Sequence, residues 1–367
     1  NNMALLLIVS LVGRLNYLIF GHYVDFAPVV VNILAINISI MLTAFTAKRL
    51  FGNKKALFVL AFCTLFLPYL TYLPYYYSDS MSMPFLIGAV YLIVSALQVD
   101  KLCAAGALIF LGYKVKGSLI ILFAVGLLLL FLKFRLKKAI CLILVFTAGF
   151  GVIGFAYNTA VNAVNPITKQ QYEKYEYPVT HWRMMGLKGL GKYDEHDDYY
   201  TLSFPSKKEK QDANIKVIKE RIKDYKFSGL YEHMIEKAVW TWQDGTYYIS
   251  YHNRKPKNDN ILMDFLHIDG KYNKAFQNYS SALQLFILLM ICISAVKTLI
   301  KPKVDEMLLI KGVVFAAFLF FLLWETRSRC LFDMTPLFIL LMVDGMDTAK
   351  AFLDSFRKPK QQTEKQA

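Results

Sequence analysis

The chain has 367 residues, of which 56% are hydrophobic and 15% aromatic, and a formal net charge of +15. Apolar runs of span length recur along it, which excludes an ordinary soluble domain and sets the class as a multi-pass membrane protein. In that class a positive excess goes with basic turns facing anionic lipid, so it calls for no nucleic-acid partner.

Residues 3–20 are apolar but carry Arg14 and Asn16 inside the run, and "GHYVDFAP" follows. This reads as an interfacial helix rather than a crossing. The runs 28–47, 55–74, 83–98, 99–116, 118–134, 138–159, 280–300, 307–324 and 330–347 read as spans, each close to the roughly 17–25 residues a crossing helix needs. Cys63, Cys103, Cys141, Cys292 and Cys330 all lie inside or at the end of such runs, so neither a disulfide nor a thiolate metal site is expected.

Basic residues assign the sides. Lys48, Arg49, Lys54 and Lys55 follow the first span, and Lys101 lies between the third and fourth. Lys133, Arg135, Lys137 and Lys138 follow the fifth, Lys297, Lys301 and Lys303 the seventh, and Lys358 and Lys360 the last. Alternating spans put all of these on one side, which is cytoplasmic by the positive-inside rule. The predicted fold is mainly α: a polytopic transmembrane helical bundle with an α-rich extracytoplasmic loop domain. Its parts are 1–159 (interfacial helix and N-terminal bundle), 160–279 (loop domain), 280–347 (C-terminal spans) and 348–367 (cytoplasmic tail).

The outer side then holds charges that short outer turns usually lack. Asp79 lies in "YYYSDSMS", Lys114 and Lys116 in "LIFLGYKVKGSLIIL", and Glu325, Arg327 and Arg329 in "WETRSRC". Ionisable groups at membrane depth mark functional sites by default. Lysine offers a point charge and arginine a bidentate fork, so the cations suit a lipid-linked phosphate at the interface. The plainer reading is that each lysine snorkels to lipid phosphates and that Glu325 and Arg327 form a surface pair.

The loop domain has a helical centre, 207–242, with apolar residues at Ile215, Val217, Ile218, Ile222 and Tyr225. Segments 180–200 and 242–255 flank it with turn signals, aromatics and ionisable groups. His181 and Asp244 here, with Glu325 of the outer turn, are the acceptor or loop candidates. Each has a plainer role, His181 as a structural ring beside Trp182 and Asp244 as the turn-former of an Asp-Gly pair. The acidic run "DEHDD" at 194–198 reads as solvated surface or a cation site. No Ser-His-Asp set, HExxH, P-loop or dinucleotide glycine pattern is visible.

Taken together, "LGYKVKGSLIIL", "LPYYYSDSMSMPF", "WETRSRCLFDMTPLFIL" and "AKRLFGNKKALF" resemble motifs of the polytopic glycosyltransferases of the GT-C type. That group contains protein mannosyltransferases and bacterial aminoarabinose transferases. "THWRMMGLKG" and "WQDGTYY" are similar to a Gram-positive membrane branch of it. The resemblance covers most of the chain with short motifs. It implies an inverting hexosyl- or pentosyltransferase of the cell membrane with its active site on the extracytoplasmic face. The donor would be a polyprenyl-phosphate sugar and the acceptor a cell-envelope polymer, lipid or protein.

By that resemblance Lys114, Lys116, Arg327 and Arg329 would bind the donor phosphate and stabilise its departure, and Asp79 would be catalytic. Asp79 would handle the acceptor or help hold a divalent cation, the one cofactor the reading allows. The group usually carries a first span and an outer loop with its main acid. This sequence starts at Asn1, where the following interfacial helix belongs, so those parts are expected upstream. Two alternatives stay open: an O-antigen-type polymerase or ligase, and a membrane transporter or lipid flippase.

Overall fold

The computed structural model describes residues 3–22, 26–164, 168–253 and 260–357. Asn1, Lys358 and Lys360 lie outside them. The described residues form helices and turns, with no strand among them. The bundle comprises α1 (Met3–Phe20), α2 (Ala27–Phe51), α3 (Asn53–Leu65), α4 (Leu67–Thr71), α5 (Ser78–Ser95), α6 (Val99–Val115), α7 (Ile120–Lys133) and α8 (Leu136–Val164). The loop domain carries α9 (Lys169–Tyr175), α10 (Val179–Gly186), α11 (Glu195–Leu202), α12 (Lys207–Trp242), α13 (Ile249–His252) and α14 (Ile261–Leu266). The chain returns to the bundle as α15 (Asn273–Ile300), α16 (Glu306–Leu323) and α17 (Thr335–Arg357).

Among the described residues α2, α5, α8, α15 and α16 are long and apolar enough to cross a membrane. The other apolar runs are helical too, but shorter or broken. The run 55–74 is interrupted at Phe66, where ψ is 83°, just before Pro68 at the start of α4. The run 330–347 starts as a 3-10 helix, Ser328–Met334, and continues into α17. Several helices overrun the predicted limits: α2 reaches Phe51, α5 starts at Ser78, α8 reaches Val164, α15 starts at Asn273 and α17 reaches Arg357.

Packing follows membrane rules, in which close backbone approach replaces the hydrophobic drive between helices. At the α6–α8 crossing a Cβ on Gly106 would lie 2.2 Å from the Phe146 carbonyl oxygen, and one on Gly149 2.0 Å from that of Cys103. Two reciprocal glycines thus bring the helices into backbone contact. The centre of the bundle is α17, where Leu337 to Val343 are buried on every side.

The basic clusters gather at one end of the bundle. Lys133 Nζ is 2.5 Å from Glu306 Oε1, and Lys55 pairs with Asp347. Asp344 receives Lys297 at 2.9 Å, Lys311 at 3.1 Å and the Ser294 hydroxyl at 2.5 Å. These contacts tie α3, α7, α15, α16 and α17 together where the positive-inside rule puts the cytoplasm. In intact cells, with native cysteines replaced, an impermeant maleimide should label Asn278→Cys but not Asn53→Cys. Both positions are exposed, and the reverse pattern would invert the assigned topology.

Candidate functional site

At the opposite end, α6 stops at Val115 and Lys116 turns into an extended backbone, φ −146° and ψ 116°. The turn sends its side chain inward. The Lys116 Nζ lies 2.8 Å from Asp79 Oδ1, 2.8 Å from Asp333 Oδ1 and 2.8 Å from the Cys330 carbonyl oxygen. An ammonium has three donors, and three oxygens surround this one. Asp79 stands in the first turn of α5, where a carboxylate also suits the helix dipole. Asp333 is fully buried and its Oδ2 has no hydrogen-bond partner.

This revises the role expected of Lys116. The three donors of Lys116 are taken by Asp79, Asp333 and the Cys330 carbonyl, which leaves none for a phosphate. Lys116 is a clamp between α5, the α6 turn and the 328–334 segment. Nor do the two carboxylates suit a divalent cation, since the ammonium already sits between their Oδ1 atoms. Among the described residues no group of three or more His, Cys, Asp or Glu could hold a metal ion.

Lys114 takes no part in the clamp. It stands two residues earlier, in the last turn of α6, and lies over the rings of Phe110 (5.3 Å), Tyr157 (5.3 Å) and Tyr113 (5.8 Å). That is a cation–π setting on the α6–α8 surface.

The two arginines sit differently. Arg329 lies over the Tyr77 ring at 4.8 Å and interacts electrostatically with Asp79. Arg327 lies between Tyr248 at 5.4 Å and Tyr193 at 5.9 Å, its Nε 3.6 Å from Glu325 Oε1, too long for a hydrogen bond. The Nε donors of both arginines are buried and unpartnered. Burial pushes the Glu325 carboxyl up, against the pull of Arg327 and then Arg329.

Asp244 builds the wall behind them. Its Oδ1 accepts from the Thr246 amide (2.9 Å) and hydroxyl (2.6 Å). Its Oδ2 accepts from the Tyr248 amide (2.8 Å) and the Ser328 hydroxyl (2.6 Å). These bonds hold Tyr247 and Tyr248 in consecutive left-handed conformations, φ 53° and 71°, which non-glycine residues rarely adopt. Tyr247 is anchored by its hydroxyl to Gln284 (2.9 Å) and by its carbonyl to Tyr72. Asp244 therefore shapes a turn and bolts it to the segment carrying both arginines.

His181 lies away from this group. It is buried in the loop domain, bonded through Nδ1 to the Thr201 hydroxyl at 2.8 Å and stacked near Tyr177. Burial lowers it to about 4, so it is neutral at pH 7. The acidic run is structural as well: Asp194 caps α11, and Asp197 takes both arms of Arg221 at 2.7 Å.

The loop domain docks on the arginine turn through backbone bonds, Glu325 N–H to Trp182 O (2.9 Å) and Thr326 N–H to Gly191 O (2.8 Å). Beneath them Lys237 is fully buried and donates to Gly186 O (2.7 Å) and Leu322 O (3.0 Å). Any side chain at Gly191 would collide with the Lys237 stem at 2.5 Å. Asp333, Lys237 and the Tyr247–Tyr248 pair were not singled out in the sequence. The signal for Asp333 was an acid inside the apolar run "CLFDMTPLF".

Two outcomes follow. Lys116→Met leaves two buried carboxylates unpaired and should cost about 3–5 kcal/mol, read as a lower melting temperature in detergent. Adding Asp79→Asn and Asp333→Asn should recover part of it. An unchanged single variant would refute the clamp.

The second concerns Lys237. Burial lowers it to about 7, against the attraction of Glu325, while His233 is the other titratable group beside it. The unfolded chain keeps that proton up to about pH 10. Between those values the docked state binds fewer protons, so docking strengthens as pH rises from about 7; below that both states hold the proton and the full penalty applies. Hydrogen-exchange protection of residues 182–191 should rise between about pH 7 and about pH 9, and Lys237→Met should abolish the rise. Protection that falls over this range contradicts the assignment.

No curated protein and no solved structure matches the chain. A family model described as a conserved hypothetical integral membrane protein matches residues 1–350, and the chain belongs to that family of integral membrane proteins.

Proposed function

We propose that the protein is a membrane glycosyltransferase that moves a sugar from a polyprenyl-phosphate donor to an extracytoplasmic acceptor. The observation that carries the reading is the pair Arg327 and Arg329, two mostly buried arginines on one turn whose buried Nε donors have no protein partner. Preorganised donors of this kind stabilise charge that develops on a leaving phosphate. The phosphate contacts thus fall to the arginines rather than to Lys114 and Lys116. Asp79, committed to Lys116 and facing Arg329, becomes a positioning group. No residue here is assigned to the base that takes the acceptor proton.

A groove of about 710 Å³ supports a lipid-linked donor. Its lining includes Val239, Trp242, Leu285 and Phe318, with Gln243, Asp244, Gln277 and Ser281 as its polar part. Asp244, in that lining, accepts a hydrogen bond from Ser328, which lies between the two arginines in sequence. The arginines do not line the groove itself; an apolar groove beside the arginine turn suits the hydrocarbon part of a lipid-linked donor.

The test is polyprenyl-phosphate binding and sugar transfer by the protein in nanodiscs. Arg329→Gln should lose one charge-assisted hydrogen bond, about 1.5–3 kcal/mol or roughly ten- to a hundredfold in affinity. Wild-type affinity in both Arg327→Gln and Arg329→Gln would remove the reading. Sugar-independent movement of the lipid between leaflets would favour a flippase instead.

A further inference from the structure

The second half of α12 is inside out. Lys226 breaks the helix with φ 53° and ψ −173°, and the segment from Phe227 to Trp242 then runs as a separate helix. Its polar residues His233, Lys237 and Thr241, spaced four apart, are the ones buried against the protein. Each has partners there: His233 Nε2 lies 3.1 Å from Gly186 O, Lys237 reaches Gly186 O and Leu322 O, and Thr241 lies 3.4 Å from the Thr326 hydroxyl. The outward stripe is apolar, with Phe227 90%, Tyr231 63%, Ile235 46% and Val239 49% exposed. Ser228, Glu232 and Glu236 form a third, polar face beside it.

In water this arrangement is backwards, since it exposes large apolar side chains and buries ionisable ones. Against hydrocarbon it is the expected one: apolar groups outward, polar groups inward and paired. The position of the helix agrees. Trp242 at its end packs 5.7 Å from Phe318, five residues inside the outer end of α16, and 5.6 Å from Phe338 in α17. Val239 shares the groove wall with Leu285 of α15, which is itself exposed on the bundle surface. The stripe therefore continues the apolar outer surface of α15 and α16, which are long and apolar enough to cross.

We infer that residues 227–242 form an interfacial helix whose Phe227–Tyr231–Ile235–Val239 stripe lies in the acyl chains of the leaflet on the arginine side, with Glu232 and Glu236 facing water. The occupant is lipid, because the stripe ends at Val239 beside Leu285, an exposed apolar residue of a candidate span, and Trp242 packs on Phe318 of another. Three partners meet on one helix: protein on the His233–Lys237–Thr241 face, lipid on the apolar stripe and solvent on the acidic face. The inference stands on membrane residence alone and is independent of the transfer reaction.

Benzophenone photo-cross-linking tests it. The full chain, carrying benzoylphenylalanine in place of Phe227, Tyr231 or Ile235, or of Glu232 or Glu236 as controls, is reconstituted in nanodiscs of phosphatidylcholine and phosphatidylglycerol. All five positions are exposed, so each variant should fold. After illumination, intact-mass spectra should show phospholipid adducts severalfold more abundant at 227, 231 and 235 than at 232 and 236. Equal adduct yields on both faces, or none at the stripe, would overturn the inference. Cross-linked dimers from the stripe would also overturn it and assign the face to a second copy of the chain.

Discussion

A buried ammonium between two carboxylates fixes the geometry of the outer end. Lys116, Asp79 and Asp333 come from the α6 turn, the start of α5 and the 3-10 segment before α17. In a low-dielectric interior none of the three tolerates separation from the others, because a lone charge there costs several kcal/mol. The clamp therefore acts as a three-way joint. It places residues 328–334 at a defined height, and Arg329 is the second residue of that segment. The clamp thus fixes the backbone that carries Arg329, while Asp79 also attracts its guanidinium.

A second joint acts from the loop domain. Asp244 accepts four hydrogen bonds, one of them from Ser328, and so holds the strained Tyr247–Tyr248 turn against the same segment. Tyr248 is one of the rings under Arg327. Left-handed tyrosines persist only where the surroundings over-determine them, and here four acceptor contacts and the Tyr247–Gln284 bond do so. The arginine turn is thus fixed from the bundle by Lys116 and from the loop domain by Asp244, which leaves the guanidinium Nε donors free without leaving the side chains loose.

Much of this was legible in the sequence because membrane burial makes certain residues costly. The apolar runs became helices since hydrocarbon allows little else. Asp79, Lys116 and Arg329 stood out as charges in apolar surroundings, and they share one site. Lys114 had the same signal and a different fate. A lysine at the end of an apolar helix can reach aromatic faces at the surface, and spacing does not reveal which way the stem turns. The partner of Lys116 was hidden for a related reason: Asp333 lies 217 residues away, a pairing that only the tertiary fold creates. The His181 and Asp244 readings turned on local geometry, a hydroxyl 20 residues away in one case and a strained turn in the other.

The two buried lysines answer one problem in opposite ways. Lys116 meets carboxylates, so its charge is retained and the group becomes a network of ions. Lys237 meets two carbonyl oxygens instead, and burial lowers it to about 7. A neutral amine still has two N–H donors, so both bonds survive when the proton leaves. The difference matches the work of each site. At Lys116 a charge is needed to hold Asp79 and Asp333 together, and its loss would drive them apart. At Lys237 only the donors are needed, to satisfy the Leu322 carbonyl at the end of α16 and the Gly186 carbonyl of the docked segment. The Lys237 contact therefore rests on its donors, and it persists whether or not the amine carries its proton.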